Sequence, residues 1–320
     1  MKIGIPRALG FYRYGVLWGK FFSELGEDVI ISPQTNAHIL QSALVNSVDE
    51  SCLPAKLFNG HAEWLLQRCD KVLIPCIEDY GKHSLVCVKF NALYDIVRNT
   101  FTTTNTSSNT GNNASRCISN KLLDLHISKK RGKTQRSGLI GLAKALGHGT
   151  RKAQKAYAAA QAAQTDCDAR QNQAAVKALN GGKKPALLIV AHPYILQDAL
   201  LGVPATQLIT RLGGACIPAY ALERESSVKA YPQLSKSLYW QYNKELTGAL
   251  ALALPHVCGV VFLTAFPCGP DSLVNELLMR KIKTLPKINI VLDELTGLTG
   301  LETRIESFMD MVISKQAGCA

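Results

Sequence analysis

The sequence predicts an α/β protein built from two parallel-sheet domains, and three observations carry that expectation. Short runs rich in Val, Ile and Leu alternate with longer amphipathic stretches along both halves of the chain. A break at NGGKKP (180–185) interrupts this pattern, which then restarts. The 320 residues, 47% of them hydrophobic, suffice for two cores of ordinary domain size. Strands that alternate with helices belong in a mostly parallel sheet covered on both faces.

In order, KIGIP reads as a strand, FYRYGVLWGKFFSELG as an amphipathic helix ending at Gly26, and DVIIS as a second strand. A strand, a helix closed by glycine and a short link to a strand make a parallel βαβ unit. Residues 36–46 and 54–68 carry helical apolar spacing, and KVLIP (71–75) is a buried strand. CIEDYGKHSLVCVKFNALYDIVRN is less regular, and the first domain closes near Phe101. TTTNTSSNTGNNAS (102–115) reads as a loop and KLLDLHI as one more strand. Residues 137–180 are Ala-, Gln- and Lys-rich and favour long connecting helices. Then come strand PALLIVAH, helix ILQDALLGVPATQLITRLGG, strand ACIPAY, a helix over 235–253, strand HVCGVVFLTAF, a helix over 271–284, strand KINIVLDE and helix GLETRIESFMDMVI. The expected domains are 1–101, a basic and helical connecting segment 102–182, and 183–320. The two α/β domains, each Rossmann-like in outline, are expected to face a cleft, with ligands beyond the C-terminal ends of the strands.

Composition removes several function classes. No charge-free apolar stretch of about 18 residues offers a membrane span. The N-terminus is broken by Pro6, Arg7 and Arg13 and lacks a small-residue cleavage site, so it does not read as a signal peptide. A cytoplasmic location is expected, with the ten cysteines kept reduced. No C-x-x-C occurs, which leaves zinc ribbons and thioredoxin-like motifs without support. Neither G-x-G-x-x-G nor G-x-x-x-x-G-K-[ST] is present, so no nucleotide site is predicted. The net charge of +12 comes from residues 116–184, which hold fifteen Lys and Arg against three Asp. A solvated helical face accounts for this better than nucleic-acid binding, because aromatic residues for base stacking are absent there apart from Tyr157.

The chemistry-bearing candidates are cysteines at strand–helix junctions. Cys268, in FPCGPDSL, follows a strand and precedes a helix that Asp271 or Ser272 can cap. Backbone N–H groups and the helix dipole there favour a thiolate. Cys52, in VDESCLPAKLF, stands before Pro54 at a helix start; Cys87, in HSLVCVKF, lies in the irregular segment; Cys76 directly follows KVLIP. Three such thiolates can hold an iron–sulfur cluster, leaving one iron for substrate, water, Cys76 or another chain. Buried cysteine as a small hydrophobe is the competing reading, and it is kept for Cys69, Cys117, Cys167, Cys216, Cys258 and Cys319. His61 and His83 lack companions at metal-ligand spacing, and Ser272 follows no base. Glu50, Glu78, Asp79 and the pair Asp293-Glu294 are acid–base candidates or ordinary solvated and capping carboxylates.

Six ordered blocks, IGIPRALGFYRY, VDESCLPAKLFNGH, VCVKF, VAHPYIL, LTAFPCGPDSL and LDELTGLTGLETRIESF, resemble those of the activase-related proteins of 2-hydroxyacyl-CoA dehydratases (the DUF2229 family). The resemblance leaves out about 102–180. It implies flavodoxin-like domains and a [4Fe-4S] or double-cubane cluster on Cys52, Cys87 and Cys268. It also implies low-potential electrons supplied by an ATP-hydrolysing activase, and radical removal of water from a 2-hydroxyacyl-CoA. A second dehydratase-like subunit or a homodimer is the other implied partner, and a non-catalytic electron-relay or assembly role is the alternative function. The chain departs from the family at Val88 and Pro267 beside the ligands, and at Leu295 and Leu298, where the family carries His and Glu. Cys76 stands where a basic residue is expected and can offer a fourth thiolate.

Overall fold

The computed structural model describes residues 1–104, 118–181, 184–294 and 298–317. The chain forms two compact units, Met1–Cys167 and Asp168–Ala320. Each contains one four-stranded parallel sheet, as the alternating pattern predicts.

In the first unit, β1 (Lys2–Ile5), β2 (Asp28–Ile31), β3 (Lys71–Asp79) and β4 (Leu122–Ser128) take the order β2-β1-β3-β4. Helix α1 (Phe11–Glu24) joins β1 to β2 and buries Leu17, Trp18, Phe21 and Phe22, the stripe that its apolar spacing predicts. Helices α2 (Ala37–Val45) and α3 (Leu53–Leu66) join β2 to β3. Most of α3 is buried, and at Gly60 it meets α2 so closely that a Cβ would lie 2.4 Å from the Ile39 carbonyl oxygen. Only glycine permits that approach.

Strand β3 is longer than KVLIP and takes in Cys76–Asp79. Its ladder with β1 covers only Lys71 and Val72, so beyond them it pairs with β4 alone, a setting that tolerates Pro75. A tight fold-back follows: Tyr80 N–H donates to Ser84 O at 2.9 Å and Val86 N–H to Glu78 O at 3.1 Å. Helices α4 (Val88–Asn91) and α5 (Leu93–Thr104) occupy what the sequence left irregular. The loop expected over 102–115 begins as the last turn of α5, and residues 105–115 lie outside the described residues, as do Cys117, Leu295 and Cys319. Helix α6 (Gln135–Ala145) is followed by α7 (Thr150–Asn180), within which the first unit ends and the second begins. Its small residues do pack: Ala153, Ala156 and Ala160 are buried in the first unit, and Ala175 joins the core of the second.

The second unit repeats the plan with β5 (Ala186–Val190), β6 (Ala215–Pro218), β7 (Gly259–Ala265) and β8 (Lys287–Leu292) in the order β6-β5-β7-β8. The single helix expected after β5 is two, α8 (Pro193–Leu196) and α9 (Gly202–Arg211). They are divided where the Asp198 carboxylate accepts the Leu200 and Leu201 amides. Helix α10 (Arg224–Ala230) precedes α11 (Gln241–Ala253), and α12 (Gly269–Lys281) and α13 (Leu298–Ala317) complete the unit. Both central strands, β5 and β7, are buried along their whole length. Among the described residues no helix is long and apolar enough to cross a membrane.

Candidate functional site

In each sheet the chain order reverses between the two central strands, β1 and β3 in one unit and β5 and β7 in the other. In open sheets of this kind loops diverge at such a point, and ligands bind in the crevice at the C-terminal strand ends. The sequence-predicted cysteines and several unpredicted polar residues stand at or near these ends.

In the first unit, Cys52 is the N-cap of α3, with extended backbone, Pro54 in the first turn and a half-buried side chain that makes no capping hydrogen bond. Cysteine caps poorly compared with Ser, Thr, Asp or Asn, so capping does not explain its presence. The free N–H groups and dipole of this fourteen-residue helix favour negative charge on the sulfur. Cys87 is the half-buried N-cap of α4, returned to the end of β3 by the fold-back. The two cysteine segments meet: Lys89 Nζ donates to Ser51 Oγ at 3.3 Å, one residue before Cys52 and two after Cys87.

Cys76 differs. It lies inside β3 rather than after it, is buried, and has its thiol pushed up to about 12 by burial. Its sulfur accepts the Tyr94 amide at 3.3 Å. Burial likewise raises the Cys69 thiol and carries Cys216 to about 11, the behaviour of inert core thiols. Asp79 is a structural clamp: its carboxylate accepts from Ser128 Oγ, the Gly81 amide and the Lys130 amide. Burial opposes its charge, but these hydrogen bonds hold it below the ordinary Asp value. Glu78 pairs with Arg131 at 3.2 Å.

In the second unit, Cys268 is the half-buried N-cap of α12, again with proline in the first turn and no capping hydrogen bond. The capping expected of Asp271 or Ser272 is not what forms. The helix begins at Gly269, which puts Asp271 in the first turn and turns its side chain into the unit. There Asp271 Oδ1 accepts from His192 Nε2 at 2.9 Å and Asn243 Nδ2 at 2.8 Å, and Oδ2 from Thr264 Oγ1 at 3.5 Å. Burial would raise the Asp271 pKa, but the charge and hydrogen bond of His192, with further bonds from Asn243 and Cys268, hold it below the ordinary value. Four segments thus converge on one carboxylate: the ends of β5 and β7 and the starts of α11 and α12. His192 directly precedes α8, its ring stacked on Tyr194 at 4.9 Å and set edge-on to Tyr242 at 6.1 Å.

Sequence reading missed His192 and Asn243. The signal for His192 was present in VAHPYIL, where a polar residue stands between a strand and a proline-led helix as Cys268 does. Asn243 belongs to a helix buried nearly all round and carries no such mark. Asp293 and Glu294 follow β8 and are half-buried. Among the described residues, no group of three or more His, Cys, Asp or Glu side chains is gathered as a metal site.

The family model of the CoA enzyme activase uncharacterised domain (DUF2229) matches residues 2–222. The chain belongs to this family. In this DUF2229 protein the matched stretch takes in the first unit from Lys2 and the second as far as Leu222, including Cys52, Cys76, Cys87 and His192. Cys268, Asn243 and Asp271 lie beyond it. No curated protein matches the chain.

Proposed function

We propose that this protein is an iron–sulfur component of a CoA-enzyme activation system. It receives low-potential electrons from an ATP-hydrolysing activase and uses them in reductive or radical dehydration of a 2-hydroxyacyl-CoA. The observation that carries this reading is the repeated placement of Cys52, Cys87 and Cys268 as N-caps that make no capping hydrogen bond, each half-buried. The donor set fits a cluster chemically, since thiolates are its usual ligands. At Cys52 the N-terminus of a long helix supports the deprotonated sulfur that metal binding requires, and at Cys268, also at a long helix's start, binding would release the thiol proton that bonds Asp271. Cys76, a buried thiol with a strongly raised pKa, suits that role least, so three thiolates are proposed and one iron is left for another ligand.

A cluster of this kind stores and passes single electrons at low potential. The chain's own part is to hold it and to keep it from bulk water. Pro54 and Pro270 stiffen the turns beside two of the ligands, and the Lys89–Ser51 hydrogen bond fixes the segments that bear Cys52 and Cys87.

Purification without oxygen, followed by iron and sulfide quantitation and EPR, tests the reading. The expected result is a brown protein that loses its iron and its visible absorbance in Cys52→Ala, Cys87→Ala and Cys268→Ala, while Cys216→Ala keeps both. A colourless, iron-free wild type after anaerobic reconstitution would falsify it. A cluster-loaded protein that binds the activase yet dehydrates no 2-hydroxyacyl-CoA would leave an electron-relay role in its place.

A further inference from the structure

We propose that His192 is the proton-transfer group of the second unit's site and that Asp271 is its positioning residue. The substrate class is taken from the function proposed above. Three observations carry the inference. First, the buried Asp271 carboxylate lies 2.9 Å from His192 Nε2, which places a ring proton on Nε2 and leaves Nδ1 as the nitrogen that can take up and release one. Among the hydrogen bonds of the described residues none uses His192 Nδ1.

Second, the ring is held on three sides. Tyr194 lies nearly parallel to it at 14° between planes, Tyr242 meets it at 65°, and Asp271 fixes its edge. Asp271 is anchored in turn by Asn243 and Thr264. A carboxylate that orients an imidazole while itself being oriented is the arrangement that prepares a histidine to move a proton. Third, the place is right. His192 lies just beyond β5, beside β7, where the order β6-β5-β7-β8 reverses and open sheets of this kind bind ligands.

In dehydration of a 2-hydroxyacyl thioester, one electron from the activase enters the thioester carbonyl, and hydroxide leaves C2 with its bonding pair. The Nδ1 lone pair then takes the C3 proton, acidified by the adjacent radical, the C–H pair forms the C2=C3 bond, and the electron is given back as the enoyl thioester forms. The imidazolium then returns the proton to hydroxide. The products are an enoyl thioester and water, with no net oxidation, and Asp271 stays ionised throughout.

Two experiments on the wild-type protein need no substrate. Nitrogen-15 NMR of histidine-labelled protein is expected to show His192 protonated at Nε2 and bare at Nδ1; the opposite tautomer overturns the proposal. Diethyl pyrocarbonate is expected to acylate His192, and an unreactive ring overturns it too. The third experiment compares His192→Gln with wild type in the reconstituted system with activase and a 2-hydroxyacyl-CoA. Iron and sulfide content should be unchanged while turnover falls about 100-fold or more, and imidazole should restore part of the activity of His192→Ala. Turnover within about threefold of wild type, or loss of iron in parallel with activity, overturns the proposal. If wild type carries iron but dehydrates nothing, the proposed function fails, and the two substrate-free measurements still decide the state of His192. They also decide it if the variants do not fold.

Discussion

His61 is wholly buried in α3, with Nε2 at 3.1 Å from Thr35 Oγ1 and an Nδ1 that has no hydrogen-bond partner. A bare lone pair costs less there than a buried N–H, so the proton belongs on Nε2, donated to Thr35. Burial, aided by the nearby Arg7 cation, lowers the imidazole pKa to about 3. The unfolded chain therefore binds a proton that the folded chain refuses between pH 3 and the ordinary value of 6.5. Stability must fall as pH drops below 6.5, with a slope from this residue approaching about 1.4 kcal/mol per pH unit. Urea titrations between pH 7 and pH 5 should show a shallower slope in His61→Gln than in wild type. Equal slopes would mean that His61 is not the acid-sensitive group.

At the scale of elements, close approach rather than propensity sets the tightest contacts. A Cβ on Gly248, in α11, would lie 1.6 Å from the Ser227 carbonyl oxygen of α10. Since backbone cannot step aside as a flexible side chain can, Gly248→Ala should cost about 3 kcal/mol or more despite the better helix propensity of alanine. Thermal melts should place it well below Gly141→Ala, a position where a Cβ meets nothing within 4 Å. Comparable melting of the two would refute the contact. Most strands and the long helices were legible because their apolar periodicity coincides with their burial. The failures have physical causes. Pro75 hid the second half of β3 because a proline in a central strand normally argues against one. Thr and Asn disguised α5, yet Leu93, Val97 and Phe101 recur every four residues and are all buried, so packing outweighs weak propensity. The junction rule put Cys52 and Cys268 at helix starts, and the structure has them there as N-caps, as it has Cys87. The Asp271 carboxylate was misread as a cap because its partners, His192 and Asn243, are remote in sequence.

At the scale of the whole molecule, charge is the uneven property. The stretch from Leu125 to Thr165 holds nine Lys and Arg and no Asp or Glu of its own, and all nine are exposed. Like charges on one segment repel, and salt screens them within about 8 Å at physiological ionic strength. Raising sodium chloride from about 20 to 300 mM should therefore increase the melting temperature by a few degrees; a decrease would show that favourable ion pairs dominate instead. The Asp271 hub has an evolutionary consequence of another kind. Stretches 192, 243, 264 and 271 are fastened to one carboxylate, so replacing Asp271 itself loosens all four at once. Selection cannot retune such a position alone: drift at any of the four must wait for a compensating change in another.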